Sequence, residues 1–194
     1  MAKETAHQIG TPLSSLIGWT EILKSENVNP DYISEIEKDV ERLQLISDRF
    51  GKIGSAPVLT RNNPFIEIER MVAYMKLRSS KQVVFECHVP EAAFVLLSVP
   101  LFDWVLENLI KNALDATEGA GKITIEASVH NKQVHILISD TGKGMDSQTA
   151  HQVFEPGFTT KKRGWGLGLP LSKRIMESYH HGKLFVKNTA PGKG

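Results

Sequence analysis

An α+β chain is predicted, a helical hairpin followed by a layered α/β domain, on three observations. Apolar residues recur at three and four along residues 9–50, glycine and proline interrupt residues 51–57, and strand-like runs alternate with a helical period beyond. The first helix carries Ile9, Leu13, Leu16, Thr20 and Leu23 on one stripe; the second carries Ile33, Ile36, Val40, Leu43, Ser47 and Phe50. Residues 27–30, Asn-Val-Asn-Pro, form the turn, Pro30 and Asp31 start the second helix, and Gly51 and Gly54 end it. Two helices make a poor core. The stripes therefore need another surface, either a second copy completing a four-helix bundle or the chain's own second domain. Residues 1–54 are read as the hairpin, 57–194 as the α/β domain, and 51–57 as the hinge that lets one swing toward the other.

In the second domain, residues 82–89 read as a strand holding the lone Cys87, a small buried apolar residue with no partner for an internal disulfide. Residues 101–116 are helical by period, with Leu101, Val105, Leu109 and Ala113 on one stripe. Asn108 and Asn112 share another face. Their spacing directs both amides the same way, either as solvated or capping groups or as neutral oxygen ligands able to complete a Mg²⁺ shell of phosphate oxygens and water; Asn112 is the candidate metal ligand. Residues 134–139 form a strand that delivers Asp140 to a turn, Asp140-Thr-Gly-Lys-Gly-Met145. A carboxylate only accepts hydrogen bonds, which suits the amino group of adenine, and Gly142 and Gly144 permit positive φ and close approach of the backbone. A second run, Gly164-Trp-Gly-Leu-Gly-Leu169, opens a helix with Pro170 in its first turn, where free N–H groups attract phosphate. Paired and ordered, the two runs imply ATP.

Four segments together resemble the ATP-site boxes of sensor histidine kinases, in that family's order: residues 107–113 (Glu-Asn-Leu-Ile-Lys-Asn-Ala), 140–145, 154–161 (Phe-Glu-Pro-Gly-Phe-Thr-Thr-Lys) and 164–169. His7-Gln-Ile-Gly-Thr-Pro-Leu13 resembles its phosphoacceptor box. The resemblance implies a Bergerat-type (GHKL) α/β sandwich over residues 57–194, with a mobile lid near 146–163. It implies ATP and Mg²⁺ as cofactors. Nucleotide contacts follow box by box: Asn108, Lys111 and Asn112, with Asp115 beyond; Asp140, Gly142, Gly144 and Met145; Phe154, Thr159, Thr160 and Lys161; then Gly164, Gly166, Leu167, Gly168 and Leu169. Lys161, Lys162 and Arg163 either reach the phosphates or form a solvated lid surface, and Lys161 is the candidate.

His7 is the implied nucleophile, since a neutral imidazole can attack the γ-phosphoryl group. Gln8 replaces the family's usual acidic residue and Gly10 its usual basic one. An amide can orient an imidazole but not take its proton, so slower autophosphorylation is expected. Thr11, one turn on, either aligns water for removing phosphate from a partner regulator or is an ordinary helix residue bonding back to a carbonyl. The partners implied are a second copy, giving a homodimer, and the receiver domain of a response regulator, docking near Ser14, Ser15 and Gly18. Two other functions are weighed: another ATPase of the same superfamily, and a nucleotide-sensing or phosphatase-biased dimer motivated by Gln8. Hydrolysis is disfavoured, because the glutamate expected one turn before the metal asparagine is Asn108 here and Glu107 stands off that face.

Composition sets softer limits. With 194 residues, 41% hydrophobic content and a formal charge of +1, the chain can form two small domains and offers no electrostatic reason for a nucleic-acid partner. No apolar run reaches membrane-spanning length and no signal peptide precedes His7, so no membrane contact and a cytoplasmic location are expected for this segment. The chain reads as a catalytic core cut at both ends: His7 lies close to Met1, and residues 185–194 stop where a closing strand is expected. A sensor would lie upstream, in a parent protein that can itself be anchored in the inner membrane.

Overall fold

The computed structural model describes residues 2–26, 28–38, 40, 57–90, 92–161, 164 and 166–192, and for residues 2–13 the backbone alone. The chain divides into two units, Met1–Pro57 and Val58–Gly194. The first unit holds α1 (Ala2–Ser25) and α2, helical over 30–38 and at Val40. The side-chain oxygen of Asn29 accepts the Asp31 N–H at 2.9 Å, turning the chain into α2. Lys24 joins the helices, reaching Glu21 at 2.8 Å and Glu37 at 2.6 Å. Thr20, Ile33 and Val40 are buried, whereas Leu16 and Ile36 of the predicted stripes are 43% and 39% exposed. The reason is geometric: a lone pair of helices buries one narrow seam and leaves the rest of each apolar stripe outside. Asn27, Leu43, Ser47, Phe50 and hinge residues 51–56 lie outside the described residues.

In the second unit β1 (Thr60–Asn62) pairs antiparallel with β3 (Val95–Leu97). Between them α3 (Pro64–Lys76) starts on Asn63, whose side chain accepts the Phe65 N–H at 3.1 Å, with Pro64 in the first turn where no donor is needed. The main sheet has the order β2-β4-β5: β2 (Val83–His88) runs parallel to β4 (Gly121–His130), and β4 antiparallel to β5 (Gln133–Asp140). Strand alternation sets the faces, with Ile123 and Ile125 buried and Lys122 and Glu126 exposed. Phe65 and Ile68 of α3, with Phe102, Leu106 and Ile110 of α4 (Val99–Thr117), cover that apolar face in a two-layer α/β sandwich. Cys87 is half-buried at the margin of this core, where burial and then the charge of Glu69 push its thiol pKa up. Two short helices follow, α5 (Ser147–Gln152) and α6 (Gly168–Arg174), and α6 runs on as one π-helical segment, Ile175–Tyr179.

Candidate active site on one face of α4

Helix α4 organises the site because Asn108, Asn112 and Ala116, four residues apart, stand on one face, and each receives a different downstream segment. At Ala116 the turn after β5 is sealed on: Lys143 N donates to the Ala116 carbonyl at 3.1 Å, and a Cβ on Gly142 would lie 2.4 Å from that same oxygen. Asp140 ends β5 and its Oδ1 accepts the Gly142 N–H at 2.9 Å, which fixes the carboxylate; its second oxygen has the chemistry to accept from a base amino group. Both glycines of this turn permit positive φ. Only Gly144 adopts it (φ 64°), and Gly142 is required for space against Ala116 instead.

At Asn108 the fourth segment docks. A Cβ on Gly168 would lie 2.3 Å from Asn108 Oδ1, and Asn108 Nδ2 donates to Ser172 Oγ at 2.9 Å inside α6. The two amides take different partners: Asn108 pins α6 to α4 through the buried Ser172 hydroxyl, whereas Asn112 receives Lys161. Leu167 caps α6 and Gly168 begins it. Gly166, at φ 61°, has no room for a side chain, since a Cβ would stand 2.4 Å from the backbone of Gly157 and Phe158; the Gly157 N–H donates to the Gly166 carbonyl at 3.0 Å.

Between these two docking points, Asn112 receives the third segment. Lys161 Nζ donates to Asn112 Oδ1 at 2.7 Å and to Asp115 Oδ2 at 2.5 Å. A cationic group thus already sits on the amide oxygen proposed as metal ligand. That donor set, a neutral amide oxygen beside a carboxylate, fits a hard cation such as Mg²⁺. Thr159 Oγ1 accepts the Lys161 N–H at 3.1 Å, and Phe154 lies under Lys173 Nζ, 5.0 Å from the ring centre. Thr160 and Gly164 are exposed and Leu169 is half-buried, while Lys111 pairs with Glu107 on its own helix at 2.7 Å. Lys162, Arg163 and Trp165 lie outside the described residues. His7, Gln8 and Thr11 are carried by α1, and their side chains likewise lie outside. Ser14, Ser15 and Gly18 are exposed on α1.

Three residues that the motifs do not mark support the site. Ser172 anchors Asn108. His180 ties the end of the π-helical segment to the start of α4: its Nε2 accepts the Ser98 N–H at 3.0 Å and its Nδ1 lies 3.1 Å from the Ile175 carbonyl. That fixes the neutral Nδ1–H tautomer, and burial, with the charge of His181 as a further cause, holds the His180 pKa below its ordinary value. Thr189 Oγ1 accepts the Met145 N–H at 2.9 Å. None has a local sequence signal, since Asn108, Ser98 and Met145, the partners that tie them to the site, stand dozens of residues away in the chain.

A phosphoacceptor hairpin joined to an ATPase-type sandwich defines the class. The family model "His Kinase A (phospho-acceptor) domain" matches residues 1–55, and "Histidine kinase-, DNA gyrase B-, and HSP90-like ATPase" matches residues 99–194. Sporulation kinase C of Bacillus subtilis (strain 168) is 27% identical over 200 residues, covering 100% of this chain and 46% of that protein. The catalytic domain of histidine kinase ThkA superposes with a TM-score of 0.63 at 29% identity, covering 67% of this chain and 87% of that one. ThkA in its complex with the response regulator protein TrrA gives a TM-score of 0.64 at 25% identity, over 96% of this chain and 57% of that one. The chain belongs to the sensor histidine kinases. It spans less than half the length of the curated relatives it matches. Among the described residues no helix is long and apolar enough to cross a membrane.

Proposed function

We propose that this chain is the cytoplasmic catalytic core of a two-component kinase, which phosphorylates its own His7 from ATP and passes the phosphoryl group to an aspartate of a response-regulator receiver domain. One observation carries the reading: the three glycine-bearing or lid segments dock on consecutive turns of one α4 face, and at the middle turn the Asn112 oxygen holds a cation at 2.7 Å. Asp140 would accept from the adenine amino group, the glycine turns would bring backbone N–H groups to the phosphates, and Asn112 would hold Mg²⁺, whose charge would offset that on the phosphoryl oxygens. In the transfer the imidazole nitrogen of His7 forms a bond to the γ-phosphorus as the bond to the β,γ-bridging oxygen breaks, and ADP leaves. A neutral ring is needed, and Gln8 can orient it but not take its proton, which passes to water, so transfer is slower than with a carboxylate at that position, and the Thr11 hydroxyl would align water for removing phosphate from the regulator.

The exposed apolar residues of the hairpin, Leu16, Ile17, Trp19, Ile22, Tyr32 and Ile36, support a second copy as the covering surface, giving a homodimer. Incubation with γ-labelled ATP and Mg²⁺ separates the candidates. Acid-labile, alkali-resistant label on the protein, lost in Asn112→Ala, is expected for the kinase. Free phosphate without labelled protein would mean an ATPase, and bound nucleotide with neither product a nucleotide-sensing dimer.

A further inference from the structure

The turn from Asp140 to Met145 is held in two halves by different parts of the chain. Its first half is tied to β4 and α4: Thr141 N donates to the Lys122 carbonyl at 3.0 Å, Lys122 N to Thr141 Oγ1 at 2.9 Å, and Lys143 N to the Ala116 carbonyl at 3.1 Å. Gly144, at φ 64°, then reverses the backbone. From the carbonyl of Lys143 onward the ties come from residues 189–192. Gly192 N donates to the Lys143 carbonyl at 2.7 Å, Met145 N donates to Thr189 Oγ1 at 2.9 Å, and the same hydroxyl lies 3.4 Å from the Met145 carbonyl as its donor. A single hydroxyl thus answers both backbone groups of one residue, as a neighbouring strand would.

Met145 occupies a junction. The next residue, Asp146, caps α5, accepting the Thr149 N–H at 2.6 Å, and this contact holds the Asp146 carboxyl below its usual pKa. On the site reading above, residues up to 145 form the nucleotide turn, and the lid begins at Asp146 with α5. A lid that closes over a ligand needs one fixed end, or its movement would drag the turn that holds the base.

We propose that Thr189 is a positioning residue for nucleotide binding: its hydroxyl clamps the Met145 peptide, so that the turn keeps its shape while the lid beyond it moves. This role rests on the nucleotide-site reading above. Two substitutions separate the hydroxyl from the bulk of the side chain. Thr189→Val keeps the shape and removes the hydroxyl, leaving the Met145 N–H and carbonyl without this partner; Thr189→Ser keeps the hydroxyl and loses a methyl group.

Binding of the non-hydrolysable analogue AMPPNP with Mg²⁺, measured by calorimetry on the full chain, should weaken roughly tenfold in Thr189→Val and stay within about twofold of wild type in Thr189→Ser. Hydrogen exchange at the Met145 amide of the nucleotide-free chain should accelerate in the valine variant and not in the serine variant. Wild-type affinity in Thr189→Val, or equal loss in both variants, would overturn the role while leaving the nucleotide site intact. A lowered melting temperature with unchanged affinity would reduce Thr189 to a structural residue and overturn it too. Failure of the wild-type chain to bind AMPPNP would instead overturn the site, and this role with it.

Discussion

Gly166 and Gly157 both lie in the left-handed region, at φ 61° and 88°, yet they make different demands. A methyl group on Gly157 meets open space, so Gly157→Ala carries only backbone strain, about 1–2 kcal/mol. On Gly166 the same methyl lands 2.4 Å from the backbone of Gly157 and Phe158, which cannot rotate away as a side chain would. Gly166→Ala should therefore lower the melting temperature more than Gly157→Ala and abolish AMPPNP binding, and equal melting temperatures for the two would refute the packing at this turn. Lys161 offers the opposite contrast. Its pair with Asp115 is about half exposed and adds little to stability, at most about 1 kcal/mol, so Lys161→Met should melt close to wild type while binding nucleotide more weakly. The placement of Asp140 at a strand end and of Asn112 on a helix face was legible in the sequence because it depends on local spacing. The direction of the Asn108 amide was not, since it is set by Ser172, 64 residues downstream, and the spatial reason for Gly142 depends on Ala116, which no local pattern names.

Between elements, the position of α6 against α4 depends on two pins, Asn108 to Ser172 and His180 to Ser98, at 2.9 and 3.0 Å. The second requires a neutral ring. Because the folded pKa of His180 lies below the ordinary 6.5, its contribution to stability is complete above that value and is lost as pH falls through the depressed folded value. His180→Gln supplies an oxygen for the Ser98 N–H and an amide donor for Ile175 without titrating. Melting curves over this acidic range should show wild type losing stability relative to His180→Gln as pH falls; parallel curves would mean that the ring does not titrate against folding. Helix α4 and strands β2 and β5 were legible to within two residues at either end, because their periods are unbroken. Strand β4 carries a readable signal too, Ile123 and Ile125 inward with Lys122 and Glu126 outward. The π-helical turn was not readable, since the spacing of Leu171, Ile175 and Met176 suits an ordinary helix and the change of pitch comes with the anchoring of His180.

For the molecule as a whole, the proposed homodimer rests on the exposed apolar residues of the hairpin. Trp19 and Tyr32 are 59% and 67% exposed, more than a stable two-helix unit would leave to water without a partner. Sedimentation should give a dimer, and Ile22→Glu should shift it to monomer with both helices retained; a monomeric wild type at high concentration would exclude the bundle. The stripes themselves were legible from their period, whereas which members stay outside was not, because it depends on how narrow the seam between α1 and α2 turns out to be. The central claim is that ATP held on α4 phosphorylates His7, and mass-spectrometric localisation of the phosphoryl group after incubation with Mg²⁺ and ATP tests it most directly. Phosphate on His7, absent in His7→Ala although that variant still binds AMPPNP, is the expected result; an unmodified His7 in a chain that binds ATP would contradict it.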